Sequence, residues 1–95
     1  MIQVSIRENG ISVTGHAEYG PHGQDIVCAA VSILTQTLIK SVEGLTKDKI
    51  EYDISPGKAD IRYGNLSEKS QTLVDSFFVG VLMIADEYSD YVRIV

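Results

Sequence analysis

A β-hairpin is predicted at the start of the chain, where residues 2–14 have the sequence IQVSIRENGISVT. Apolar and polar residues alternate on both sides of Asn9-Gly10, which is the pattern of a strand with one buried face. Asn-Gly is a strong signal for a two-residue hairpin turn because both residues tolerate positive φ. The stretch therefore predicts two antiparallel strands whose apolar sides face a common core.

Two amphipathic helices are predicted further along the chain, because apolar residues there recur at three- and four-residue spacing. The first follows a glycine-containing loop, with Asp25 as its N-cap and Gly44 as its stop. The second is predicted to begin with a capping box formed by Asn65 and Glu68. Its apolar stripe is wider than one sheet face requires, which predicts contact with a second subunit.

A second hairpin is predicted around Pro56-Gly57, where residues 50–63 alternate again, and residues 91–95 are β-branched enough for a last strand. The predicted order is β-β-α-β-β-α-β. It indicates an α+β fold in a single domain, residues 1–95: a two-layer sandwich with a mostly antiparallel five-stranded sheet and two helices on one face.

The composition excludes several classes of function. With a net charge of −5 and a pI near 4.8, the chain is poorly suited to nucleic acid, whose recognition depends on Lys and Arg. One cysteine and two histidines are too few for a disulfide or an ordinary zinc site, so no metal or cofactor is expected. No signal peptide or membrane-spanning run is evident, and a free thiol fits a reducing compartment, so a cytoplasmic location is expected.

One segment departs from the fold-forming pattern: residues 15–32, GHAEYGPHGQDIVCAAVS, contain the only cysteine and both histidines. Cys28 falls near the third position of the first helix, where backbone N–H groups and the helix dipole stabilise a thiolate. His16, twelve residues earlier, is predicted at a strand end and could accept the thiol proton. Ser32 lies one helical turn after Cys28 and could hydrogen-bond its sulfur. The Cys28 N–H is a candidate donor to an oxyanion.

Two other classes of protein remain open from these residues. Cys28 could be an inert buried thiol and His16 a surface residue, which would make the chain a non-catalytic binding module or a structural dimeric domain. If Ile11 and Val13 face the helices, strict alternation places His16 on the opposite face of the sheet. A Cys28–His16 dyad therefore requires the strand to end, twist or bulge near Gly15.

The same residues resemble those of the bacterial ribosomal-processing cysteine proteases. The matching pattern is Gly15-His16-Ala17, a glycine-containing loop, Asp25-Ile26-Val27-Cys28-Ala29-Ala30 and Ser32. The resemblance covers nearly the whole chain. It implies a homodimeric endopeptidase that removes a short N-terminal extension from large-subunit ribosomal protein number twenty-seven, with related enzymes processing phage capsid or scaffold proteins.

The resemblance also implies roles for individual residues. Cys28 would be the nucleophile and His16 the general base, with Asp25 and Ser32 in support. The loop containing Gly15, Gly20 and Gly23 would be a flexible segment that orders over the peptide substrate. The protein is expected to need no cofactor, to bind no nucleic acid directly and to associate with no membrane.

Overall fold

The computed structural model describes residues 1–95, which form five strands and two helices. The elements are β1 (Ile2–Arg7), β2 (Gly10–Thr14), α1 (Ile26–Leu45), β3 (Ile50–Ser55), β4 (Lys58–Tyr63), α2 (Glu68–Glu87) and β5 (Val92–Ile94). The strands form one sheet in the order β3-β4-β2-β1-β5, in which only the β1–β5 pair is parallel. The predicted α+β architecture is confirmed.

The first hairpin is present, but its turn lies one residue earlier than predicted. Arg7 pairs with Gly10, so Glu8 and Asn9 form the turn and Gly10 begins β2. Neither Asn9 nor Gly10 has a positive φ. Gly10 is required for a different reason: a Cβ there would collide with the carbonyl oxygen of Ile61 on the neighbouring strand β4.

Three helix ends were predicted, and one of them is correct. Asp25 caps α1 as expected, but α1 continues through Gly44 to Leu45. It ends at Thr46, whose N–H and hydroxyl both donate to the Val42 carbonyl, at 3.2 and 2.7 Å. The capping box was wrong as well: the N-cap of α2 is Ser67, whose Oγ accepts the Ser70 N–H at 3.3 Å.

Both helices bury one face against the sheet and against each other. The largest fully buried side chains come from both layers: Val4, Ile11, Val27, Ile39, Val42, Ile61, Val81 and Val92. By length and composition α1 could cross a membrane, but here Val27, Ile39 and Val42 on that helix belong to the core. This packing fixes the N-terminus of α1 beside the end of β2, where the chemically distinctive segment lies.

Candidate active site

Gly15 ends the strand alternation as the dyad hypothesis requires. β2 stops at Thr14, and Gly15 has a φ of +96°, a conformation that L side chains rarely adopt. A Cβ at this position would also collide with the Met1 carbonyl oxygen. After this break Ala17 turns into the core with 3% exposure, and His16 lies on the surface, facing the same cavity as Cys28. The two residues are therefore not held on opposite faces of the sheet.

Asp25 organises the start of α1 and the loop before it. Its Oδ1 accepts the N–H groups of Val27 and Cys28, both at 3.0 Å, as an N-cap does. Its Oδ2 accepts the N–H groups of Tyr19 at 2.8 Å and Gly20 at 3.3 Å. Partial desolvation raises the pKa of Asp25, but the four N–H bonds outweigh it and hold the pKa below its ordinary value. The carboxylate thus ties the loop to the helix while staying ionised.

The thiol of Cys28 is half-buried at the third residue of α1. Its Sγ accepts a hydrogen bond from the Ala17 N–H at 3.4 Å. The Cys28 N–H itself donates to Asp25, so the expectation that it serves an oxyanion does not match this arrangement. Neither the His16 ring nor the Ser32 hydroxyl forms a hydrogen bond with Sγ, although both residues line the same cavity.

The loop between His16 and Asp25 has a second anchor that the sequence did not reveal. The Tyr19 ring makes edge-on contacts with Tyr88 at a centroid distance of 5.3 Å and with Tyr91 at 5.0 Å. These residues lie at the end of α2 and just before β5. No local sequence pattern links Tyr88 or Tyr91 to a residue near position 19, so this contact could not be predicted.

The cavity has a volume of about 580 Å³. One wall is α1, with Cys28, Ser32 and Gln36 spaced one helical turn apart on one face. The facing wall is the turn between β3 and β4, which includes Pro56 and Gly57. Loop glycines 20 and 23 also border it. Sequence reasoning missed this second wall, because the turn reaches the site only through the pairing of β4 with β2.

A cysteine at a helix start and a strand-end histidine thus line one cavity, which provides the thiol and the imidazole that a cysteine protease requires. Residues 1–93 match the family model described as cysteine protease Prp. The chain therefore belongs to the Prp family of cysteine proteases. Family membership supports the enzyme hypothesis over the binding-module and structural alternatives.

Curated relatives agree with this assignment over nearly their full length. The ribosomal processing cysteine protease Prp of Staphylococcus aureus (strain Mu50 / ATCC 700699) is 27% identical, covering 98% of this chain and 94% of the relative. The protein of the same name from Bacillus subtilis (strain 168) is 29% identical, covering 99% and 96%.

Solved structures show the same fold. The essential ribosomal processing protease Prp from S. aureus, crystallised with a covalently linked product peptide, superposes with a TM-score of 0.88 at 23% identity. The alignment covers 98% of this chain and 94% of that one. A crystal structure of a Streptococcus mutans protein gives a TM-score of 0.85 at 29% identity, covering 99% and 91%.

Proposed function

We propose that this cysteine protease removes a short N-terminal extension from large-subunit ribosomal protein number twenty-seven. The names of the S. aureus and B. subtilis relatives support ribosomal processing. The net charge of −5 suits a basic substrate of the kind that ribosomal proteins provide. The observation that carries the proposal is the placement of Cys28, whose Sγ receives the Ala17 N–H while facing an open cleft shared with His16.

The reaction divides between Cys28 and His16. His16 takes the thiol proton, Sγ attacks the scissile carbonyl carbon, and the leaving amine then takes that proton from His16, which leaves a thioester. The leaving amine is the new N-terminus of the shortened protein, so the thioester holds the extension. His16 next accepts a proton from water as the water oxygen attacks the thioester carbonyl carbon; the C–S bond breaks, the extension leaves with a carboxylate terminus, and His16 returns its proton to the sulfur. Because the free protein has no His16–Cys28 hydrogen bond, this contact is made when the peptide is bound.

Asp25 and Ser32 act in support of these two residues. Asp25 fixes the first turn of α1, and therefore Cys28, by accepting the Val27 and Cys28 N–H groups. Ser32 borders the cleft one turn after Cys28, from where its hydroxyl can donate to the sulfur or to the bound peptide. The segment with Gly15, Gly20 and Gly23 closes over the peptide.

The test is cleavage of the extended ribosomal protein by the wild type, Cys28→Ala and His16→Ala. We expect each variant to lose about three orders of magnitude or more in kcat, because nucleophile and base act as a unit. Lys47→Ala, at an exposed position that does not line the cavity, is the control and should keep most of the activity. Equal cleavage by wild type and Cys28→Ala would refute the assigned nucleophile.

The protein is further proposed to be a homodimer through α2. Val79, Leu82 and Met83 lie on one face of α2 and are 57%, 46% and 68% exposed. An apolar face of this kind favours association. Met83→Glu should shift the molar mass measured by light scattering from dimer to monomer. Ile33→Glu, at an equally exposed apolar position of α1, is the control and should leave the dimer intact.

A cytoplasmic location is proposed with this function, because ribosomal proteins are made and assembled there. The acidic chain is not expected to bind nucleic acid directly. No membrane attachment is proposed, since α1 buries one apolar face, which includes Val27, Ile39 and Val42, in the core. Fractionation of cells should recover the protein with soluble precursor, and recovery in the membrane pellet would contradict this.

A further inference from the structure

The imidazole of His16 rests on the turn between β3 and β4. A Cβ added to Gly57 would lie 2.6 Å from Nε2 of His16, 3.1 Å from Cε1 and 3.3 Å from Cδ2. Real Cβ contacts are essentially never this short, so the ring occupies the space that any L side chain at position 57 would need. The ring can lie this close to the backbone of residue 57 because glycine has no side chain.

The backbone beside His16 is bound to the same glycine. The Gly15 N–H donates to the Gly57 carbonyl oxygen at 2.9 Å. On the other side of His16, the Ala17 N–H donates to Sγ of Cys28. The histidine is therefore held between a contact with the turn and a contact with the nucleophile, and its ring is seated on the turn as well.

The turn itself is firmly placed. Ser55 pairs with Lys58 across the two-residue connection Pro56-Gly57, and β4 pairs with β2 from Lys58 opposite Thr14 onwards. The φ of Gly57 is +75°, as expected for the second central residue of a Pro-Gly turn. The pairing of β4 with β2 therefore places the β3–β4 turn beside the end of β2, next to His16.

We propose that Gly57 is a positioning residue for the general base: its missing side chain leaves the space in which the His16 ring lies at the edge of the cavity shared with Cys28, and from this position the ring meets the thiol when the peptide is bound. The proposal rests on the proposed function of His16. Gly57 lies outside residues 15–32, the segment that contains both His16 and Cys28.

Replacement of Gly57 has two effects that must be separated. An L side chain displaces the ring, and it also strains a backbone at positive φ. D-alanine separates them, because it accepts positive φ and places its methyl group where the other Cα hydrogen of glycine lies. It can be introduced by chemical ligation at Cys28, the only cysteine of the chain.

The experiment compares the wild type, Gly57→Ala and the protein with D-alanine at position 57. For Gly57→Ala we expect kcat to fall about ten- to a hundred-fold while KM stays within about two-fold, because a base displaced by roughly 1 Å loses its alignment. The D-alanine protein should recover most of the wild-type kcat. If Gly57→Ala does not fold, Gly57→Asn takes its place, because Asn tolerates positive φ but keeps the Cβ.

A second readout follows the ring directly. The carbon-bound protons of the His16 ring should shift in the NMR spectrum of Gly57→Ala and return near their wild-type positions with D-alanine. Full kcat in Gly57→Ala, or equally low kcat with L- and D-alanine, would overturn the proposal. An unshifted His16 ring in Gly57→Ala would overturn it too.

The two proposals fail in different ways. If His16→Ala cleaves the precursor as well as the wild type does, the proposed role of His16 is wrong, and with it the positioning role of Gly57. If His16→Ala is inactive while Gly57→Ala keeps full kcat, only the inference about Gly57 is wrong.

Discussion

The backbone N–H of Ala17 donates a hydrogen bond to Sγ of Cys28 at 3.4 Å, across eleven positions of sequence. Ala17 is 3% exposed, so packing holds this donor in place. A thiol is a weak acceptor, whereas a thiolate accepts a charge-assisted bond. The contact therefore stabilises the reactive form of the cysteine and also fixes the residue after His16 against it.

Removal of the Ala17 N–H donor should lower the rate at which the Cys28 thiol is alkylated. Replacing Ala17 by L-lactic acid converts the peptide N–H into an ester oxygen and leaves the side chain unchanged. A hydrogen bond to a charged group contributes about 1.5–3 kcal/mol, so we expect alkylation of Cys28 by iodoacetamide at neutral pH to slow about ten-fold or more. The same ester at Ser76, on the exposed face of α2, is the control for ester chemistry, and an unchanged alkylation rate at position 17 would contradict the prediction.

Asp25→Asn should change the dependence of stability on pH. The folded pKa of Asp25 lies below the ordinary value of 3.8. Its stabilisation is therefore complete above that value and is lost as the pH falls through the folded pKa. The free energy of unfolding in urea should be lower for Asp25→Asn than for the wild type at pH 5–7, and the gap should close in stronger acid.

The control for this pH experiment is Asp90→Asn, an exposed position after α2, which should follow the wild type throughout. Asp48 also has a lowered pKa, chiefly through the side-chain hydrogen bonds of Ser67 and Ser70, but it is common to all three proteins and cancels in the differences. A gap between wild type and Asp25→Asn that widens towards acid pH would contradict the prediction.

Local pattern was sufficient for much of the fold. Alternation predicted both hairpins and periodicity predicted both helices, because each depends on residues close together in sequence. The cap at Asp25 was predictable for the same reason. Gly44 is not the stop, because the burial of Leu38, Ile39 and Val42 keeps α1 helical past an exposed residue of low intrinsic propensity.

The site was predictable only in part. The resemblance and the helix start indicated Cys28 and His16, but nothing near them in sequence pointed to Gly57, which reaches His16 through the β2–β4 register. The contacts of Tyr19 with Tyr88 and Tyr91 likewise join the loop to the end of the chain. Such contacts are products of the tertiary fold, so a periodic pattern carries no sign of them.

Tyr19→Ala should loosen the loop without disrupting the core. Tyr19 is 43% exposed, and an edge-on aromatic pair contributes about 0.5–1.5 kcal/mol beyond its buried area. In a double-mutant cycle with Tyr91→Ala, measured by urea unfolding, we expect a coupling energy in that range of about 0.5–1.5 kcal/mol. Amide exchange of Gly20 should accelerate in Tyr19→Ala and stay near wild type in Tyr19→Phe, whereas zero coupling would show that the rings do not anchor the loop.

Two helical glycines should respond differently to alanine. Nothing lies within 4 Å of a Cβ placed on Gly44, whereas one on Gly80 would lie 2.9 Å from both terminal carbons of Leu34. Gly44→Ala should therefore raise the free energy of unfolding by about 0.5–1 kcal/mol, the usual gain in helix propensity. Gly80→Ala should gain less, because Leu34 must move, and Gly80→Val should lose about 1–3 kcal/mol by overpacking. Leu34→Ala in the Gly80→Val background tests whether Leu34 is the cause. The double variant should recover part of the stability that Gly80→Val loses. A purely additive further loss would mean that the two helices do not approach closely at these residues.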